Sequence, residues 1–426
     1  MKNCCRKCCC ALFCCTCCRQ TPLNVINNDT ILLPKNEATK DEFETDKLYI
    51  YGSDIPEKPI LIEGHGHNPV IKIVCGKYHC IILLAGNMLR GIGSNDMGQL
   101  GLPLETEKVT DMTELNINIP NMNLEGYQIL DIAAGDSFSL ILIRTPDNQI
   151  RIIKFGIDIR DKYLKLPNTP TQKIEKIPNE VNTNINKIIA FEKRKIFYTD
   201  ANEIYLGGCD FYGTEIDDYI LLKKFDKKIN NIFLQKEGCI IQDEENEIYG
   251  LNDNSYRELG IKFNIINDFE PFQYKFKKSK IKKISVGARH ILFLLENGEL
   301  FGLGDNSEGQ CCSTNSTCGF PYKIEINNPN KIIDCYAGYN YNLVILENGS
   351  VYTWGNTDNG KLGYIEDNIT QDTPKEILRM KIRCVNYVCL GYKMTIIAVG
   401  KEEDSIAFKN QPREEPKIID EKNKNK

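Results

Sequence analysis

No stretch of this 426-residue sequence approaches the roughly 20 consecutive apolar residues that a membrane-spanning helix requires. An excess of positive charge is also missing. With 53 basic against 58 acidic residues, the formal net charge of −5 supplies no global field for polyanions, so no nucleic-acid partner is expected. The patterns G-x-x-x-x-G-K-[ST], G-x-S-x-G and H-E-x-x-H do not occur, which leaves phosphate-loop, serine-hydrolase and zinc-protease chemistry without a home. No catalytic residue and no cofactor is therefore expected. Histidine is scarce, with four in all. His65 and His67 would give a metal two ligands where three or four are needed, so no metal site is expected.

What the sequence has in quantity is a repeat. Residues 332–363, IIDCYAGYNYNLVILENGSVYTWGNTDNGKLG, show it most clearly. An alternating apolar run (Tyr341, Leu343, Ile345) meets Asn348-Gly349, where positive φ is accepted, and a second strand follows through Val351, Tyr352, Thr353 and Trp354. With Gly338 as anchor, the unit recurs around Gly76, Gly135, Gly287 and Gly391, and more weakly around Phe191 and Gln235. Seven anchors result, spaced 44 to 59 residues apart with a mean of about 52, the period of a propeller or solenoid. Gly93, Gly208, Gly304 and Gly355 each follow their anchor by 17 residues; Asn252 takes that place in the fourth copy. Gln99-Leu100-Gly101, Glu258-Leu259-Gly260 and Lys361-Leu362-Gly363 close a loop, from which Gln310-Cys311-Cys312 departs.

His79 and His290 both stand three residues after an anchor glycine. Phe138 and Tyr341 hold the same place in other copies, so the position reads as a slot for a ring on an inward strand, not as a catalytic histidine.

The chain ends complement each other. LYIYGSD at 48–54 superposes on VYTWGNT at 351–357, with Gly52 in the place of Gly355, and lacks a first half. The last copy, 383–400, has a first half and no second. An open array would leave an unpaired strand edge at each terminus, whereas sharing one sheet closes a ring. The expected fold is all-β: a seven-bladed propeller over residues 47–400 whose terminal strands share a blade. Between the hairpins, polar segments at roughly 102–126, 157–184, 210–227, 261–280 and 313–330 read as inserted loops, where binding commonly resides.

Nine of the 19 cysteines fall in the first 18 residues: Cys4, Cys5, Cys8, Cys9, Cys10, Cys14, Cys15, Cys17 and Cys18. Lys2, Arg6, Lys7 and Arg19 lie among them, and no acid precedes Asp29. Each basic residue near an anionic leaflet contributes about 1 kcal/mol, and two or more thioester-linked acyl chains would then hold the segment there. Paired CC steps without histidine do not match a structural zinc site, and a secretory leader lacks its uninterrupted apolar core here. A metal cluster or disulfide-rich head remains the alternative to S-acylation. Residues 1–23 are thus expected to be a lipidated anchor on the cytoplasmic face of a membrane, 24–46 a linker and 401–426 a charged, disordered tail. Residue 2 is Lys, which argues against N-myristoylation. The cysteines of the repeats read as isolated, reduced, apolar side chains.

One more cluster has a candidate contact role. Lys275, Lys277, Lys278, Lys280, Lys282 and Lys283 interleave with Phe272, Tyr274 and Phe276. A charge run of this kind is ordinarily a solvated edge; the sharper reading is contact with anionic lipid or an acidic partner.

The anchor-glycine strand, the hairpin, the aromatic-Gly or G-x-G element and the G-x-L-G loop together resemble the repeat of the regulator of chromosome condensation family. The likeness covers about residues 47–400, with its most specific copies at 71–101, 281–310 and 332–363. It implies a seven-bladed propeller, in agreement with the anchor count. It also implies either guanine-nucleotide exchange on a small GTPase, as in the family's best-known member, or a binding module. That member's basic nuclear arm is missing here, so the expected role is a membrane-tethered interaction scaffold, with exchange on a small GTPase as the alternative.

Overall fold

The computed structural model describes residues 47–52, 59–61, 69–119, 122, 125–156, 171–181, 184–259, 265–277, 279–364, 370–381 and 385–399. Strands β1 (Lys47–Gly52) and β2 (Pro59–Leu61) come first. Blade 1 is β3 (Val70–Cys75), β4 (His79–Leu84), β5 (Met88–Ser94) and β6 (Lys108–Leu115). Blade 2 is β7 (Gln128–Ala134), β8 (Ser139–Arg144), β9 (Ile150–Phe155) and β10 (Gln172–Ile174). Blade 3 is β11 (Ile185–Phe191), β12 (Arg194–Thr199), β13 (Glu203–Cys209) and β14 (Glu215–Lys224). Blade 4 is β15 (Ile229–Leu234), β16 (Gly238–Asp243), β17 (Ile248–Asp253) and β18 (Ile265–Pro271). Blade 5 is β19 (Ile281–Val286), β20 (His290–Leu295), β21 (Leu300–Asp305) and β22 (Thr317–Ile324). Blade 6 is β23 (Ile332–Ala337), β24 (Tyr341–Leu346), β25 (Ser350–Asn356) and β26 (Thr370–Lys381), and β27 (Val385–Leu390) and β28 (Met394–Val399) end the ring.

Each blade is a four-stranded antiparallel sheet. Blade 7 is made from both ends of the chain in the order β2-β1-β28-β27, with Leu48 opposite Ala398 and Ile50 opposite Ile396. The terminal halves thus close the ring in one sheet. First strands pack against first strands around the axis, and β27 meets β3.

The second strands centre on runs of β-branched, aliphatic and aromatic residues, and in blades 1 and 6, HCIILL and YNLVIL, they are buried along their whole length. Such a run needs cover on both faces. A neighbouring blade supplies it on each side. Among the described residues the apolar core is accordingly divided into seven clusters, one at each seam between adjacent blades.

The five polar segments are not simply loops. Each contains the outermost strand of a blade: β6, β10, β14, β18 or β22. An outermost strand pairs on one edge only and shows much of its surface to water, so its apolar residues do not alternate cleanly with polar ones and it reads as loop.

Candidate functional site

The turns between first and second strands hold the anchors and converge on the axis. A Cβ on Gly76 would stand 2.2 Å from the carbonyl oxygen of Gly135, and one on Gly287 would stand 2.4 Å from that of Gly338. The anchors are glycine because each turn lies against the next one. Gly338 and Gly391 are crowded in the same way, against Leu390 Cβ and Cys75 Cβ. On the third strands Gly52, Gly93, Gly304 and Gly355 have positive φ and pack over the turn beside them.

Three residues after the anchor, the ring slot acts as a latch. His79 Nε2 lies 2.8 Å from Ser139 Oγ in the next blade, and Ser139 Oγ donates to the Gln99 carbonyl at 2.8 Å. His290 Nε2 lies 2.8 Å from Asn342 Oδ1, whose amide donates to the Gln310 carbonyl at 2.8 Å. Tyr341 lies 2.9 Å from Thr395 Oγ1, which donates to the Lys361 carbonyl at 2.7 Å. At the seam of blades 7 and 1 sulfur replaces oxygen, with Cys80 donating to Met394 Sδ at 3.0 Å. Since Ser139 and Asn342 spend their protons on carbonyls, each histidine must donate from Nε2. Burial lowers His79 to about 4 and lowers His290 too. These histidines join blades. Blade 4 departs from the pattern by exchange: Gln235 stands at the anchor and Gly238 in the ring slot, so the bulk moves three residues along the chain.

The residues just after the anchors form the mouth of the axis. Tyr339 crosses it, donating to Glu192 Oε1 at 3.0 Å and stacking on Phe191 of blade 3 with ring centroids 6.0 Å apart. Tyr392 packs edge-on at 4.5 Å from Tyr339, and Tyr78 at 6.5 Å from Tyr392. Lys77 lies over Tyr78 and Tyr392, and Lys393 over Tyr78. Arg289 grips Glu237 with two nitrogens and lies 4.6 Å from the Tyr256 ring centroid. A rigid plate of aromatic rings edged by both charge signs results, the composition that marks contact surfaces. Sequence reading missed it. The signal available was the tyrosines at 78, 339 and 392, one or two residues after three anchors.

The lysine run lies on the other side of the blades, between β18 and β19, among the hairpins that join second and third strands. It is divided. Lys282 donates to the Ile333 carbonyl at 2.6 Å, and Lys283 pairs with Asp334 at 2.6 Å and covers the Tyr336 ring, so both are spent on blade 6. Lys275 pairs with Glu247 at 3.0 Å; Lys277 and Lys280 are exposed. A cleft of about 480 Å³ opens there, lined by Phe272, Tyr274, Phe276, Glu245, Glu247 and Glu296. Lys278, the N-terminal cysteines, Lys2, Arg6, Lys7, Arg19, His65 and His67 lie outside the described residues.

Among the described residues the repeat cysteines are free but not isolated, contrary to expectation: Cys80 Sγ is 2.6 Å from Cys75 Sγ, and Cys311 hydrogen-bonds Cys318. Regular spacing in the two strands of a hairpin brings side chains face to face that are distant in composition counts. Among the described residues no group of His, Cys, Asp and Glu is arranged to hold a metal, and no helix is long and apolar enough to cross a membrane.

Models of the regulator of chromosome condensation (RCC1) repeat match residues 70–99, 281–310 and 348–398. The ultraviolet-B receptor UVR8 of Arabidopsis thaliana is 23% identical over 344 residues, covering 77% of this chain and 73% of the receptor. The human E3 ubiquitin-protein ligase HERC2 is 29% identical over 126 residues, 29% of this chain but 2% of the ligase. Among solved structures, Prp20p from Saccharomyces cerevisiae superposes with a TM-score of 0.67 at 15% identity, covering 86% of this chain and 95% of that one. Human WBSCR16 superposes at 0.65 with 13% identity, covering 84% and 100%. The chain thus carries RCC1-type repeats and is folded as a seven-bladed β-propeller.

Proposed function

We propose that this protein is a membrane-tethered propeller that serves as a protein-interaction scaffold at the cytoplasmic face of a membrane. The observation that carries the scaffold reading is the mouth of the axis. Tyr78, Tyr339 and Tyr392 are held by stacking, cation-π contact and the Tyr339–Glu192 bond, so they meet a partner with little ordering cost. Buried histidines, the usual acid-base groups, are consumed by the seams. The tether rests on the nine cysteines and four basic residues of positions 2–19.

Two measurements test it. Proximity labelling from the intact protein is compared with a Tyr339→Ala/Tyr392→Ala variant of equal abundance; loss of the strongest labelled proteins supports the plate as the docking surface, and an unchanged set rejects it. Replacing all nine N-terminal cysteines by Ser should release the protein from the membrane fraction and abolish hydroxylamine-cleavable acylation. Retention at the membrane rejects the tether.

A second reading is favoured by one likeness: Prp20p, of the same fold, has been studied for binding to Gsp1p and histones. In this reading the plate engages a small GTPase and favours its nucleotide-free form, which accelerates nucleotide release. Faster loss of labelled GDP from a co-purified GTPase supports exchange; stable binding without acceleration supports the scaffold.

A further inference from the structure

We propose that Cys311 and Cys318 of blade 5 are a peroxide-oxidisable dithiol that closes to an intramolecular disulfide. The repeat shows how unusual the pair is. In blade 1 the loop residue that packs under the third strand is Leu100, and the outer-strand residue facing Gly93 is Val109, both in one apolar cluster. In blade 5 the residue packed against Gly302 is Cys311, and the one facing Gly304 is Cys318. Two aliphatic positions of one contact have thus both become thiols. Cys312 beside them holds φ 55 where Gly101 and Gly363 hold 70 and 83.

The backbone holds the two sulfurs together from both sides. Asn306 Oδ1 accepts from Cys311 N at 2.7 Å. Its amide donates to the carbonyls of Ser313 and Asn315 at 2.7 and 2.6 Å, and its backbone N–H to that of Ser316 at 2.8 Å. The ladder fixes Cys318 against Gly304. Cys311 Sγ, which also donates to the Asp305 carbonyl at 3.5 Å, is hydrogen-bonded to Cys318, and this bond with another from Ser313 outweighs burial to lower the Cys318 thiol to about 7. Proximity alone would not suffice. Cys75 and Cys80 are also in contact, yet burial raises both, which leaves them little thiolate.

The chemistry balances with hydrogen peroxide as oxidant. Cys318 thiolate attacks one peroxide oxygen, the O–O bond breaks, and sulfenic acid forms with hydroxide, which takes a proton from solvent. Cys311 sulfur then attacks the sulfenic sulfur; the S–S bond forms, and the hydroxyl leaves as water with the proton of Cys311. Two thiols are oxidised and one peroxide is reduced to two waters. Cys318 is 5% exposed and Cys311 fully buried, an opening that suits an oxidant close to water in size. The disulfide would tie the blade-5 loop to its outer strand beside Gln310, whose carbonyl receives Asn342 and Trp354 of blade 6.

The test uses the full-length protein, treated with peroxide at neutral pH, alkylated, digested with trypsin and weighed. Residues 290–323 contain no Lys or Arg before Lys323, so all three thiols fall on one peptide. The expected product is that peptide lacking two hydrogens and alkylated once, on Cys312, forming about tenfold faster than oxidation of Cys239 or Cys335. In Cys311→Ser, which keeps a hydrogen-bonding group beside Cys318, the reaction should stop at a dimedone-trappable Cys318 sulfenic acid, and in Cys318→Val, which restores the residue type blade 1 carries, it should not start. Oxidation of Cys318 no faster than Cys239, or a disulfide to Cys312 in place of Cys311, would overturn the proposal.

Discussion

His79 and Ser139 meet at 2.8 Å across the seam of blades 1 and 2, and His290 and Asn342 meet at the same distance across that of blades 5 and 6. Phe138, the residue before Ser139, fills the slot of blade 2 with a ring whose centroid lies 5.7 Å from Lys154 Nζ. One position of the repeat therefore links blades 1 to 2, 5 to 6 and 6 to 7, with different chemistry at each seam. His79→Ala should cost roughly 2–4 kcal/mol, since it opens a cavity and leaves Ser139 short of a donor. Ser139→Ala should cost about 1–3 kcal/mol, because it orphans a buried ring nitrogen. Urea unfolding of both single variants and the double variant should show non-additivity of at least about 0.5 kcal/mol. Strict additivity would mean that the pair does not couple the blades.

The same histidines should make the protein acid-sensitive. Burial holds His79 at about 4, below its ordinary 6.5, while in the unfolded chain it titrates near 6.5. Protonation therefore favours the unfolded chain as pH falls from about 6.5 toward 4; above 6.5 the stability is intact. His79→Tyr places at this position the ring that blade 6 already uses, and it removes the titration. The urea midpoint of the wild type should fall relative to this variant between pH 6.5 and 4. A constant difference across that window would show that His79 is charged in the fold.

Much of this was legible in the sequence, and the reason is the period. Anchor glycines, Asn-Gly turns and the two half-copies at 48–54 and 383–400 give blade number, ring closure and the structural reading of His79 and His290, because each depends on spacing within one repeat. What escaped depends on contacts between repeats. Tyr339 reaches Glu192, 147 residues away in sequence, and Cys311 meets Cys318 only because a loop and an outer strand fold together. The outer strands escaped for another reason: Glu215–Lys224 has one residue in ten buried, and a strand wet on most of its surface has no alternation to read.

Glu258 gives a pH dependence of opposite sign. It stands where blades 1 and 5 carry Gln99 and Gln310, and Gln99 donates to Ser94 Oγ at 3.2 Å and to Asp96 at 3.1 Å. Blade 4 has Asp253 in the place of Ser94, so a carboxyl group approaches a carboxylate, and Glu258 Oε2 is buried without a hydrogen-bond partner. Burial first, then Asp253 and Glu237, raises Glu258 to about 8. The unfolded chain ionises near 4.5 and the folded chain does not until about 8, so this contribution is complete below 4.5 and is lost as pH rises to 8. Glu258→Gln restores the amide donor; it should stabilise the protein at pH 8 by roughly 1–3 kcal/mol and flatten the slope above pH 5. Equal midpoints for both proteins at pH 8 would refute the buried, protonated state.

Ring closure rests on β1, whose Leu48 and Ile50 enter the seam with blade 1 while Tyr49 and Tyr51 enter the seam with blade 6. Two of the seven core clusters therefore lose members together if this strand is removed, and β28 becomes an open edge. Deleting residues 47–54 should abolish cooperative unfolding, with calorimetry showing no single sharp transition. Ile50→Ala, a milder change on the same strand, should cost roughly 2–4 kcal/mol and keep the transition two-state. A deletion variant that melts sharply at the wild-type temperature would mean that six blades and a half-sheet are a stable object, and the shared blade would then be an ornament of the fold instead of its closure.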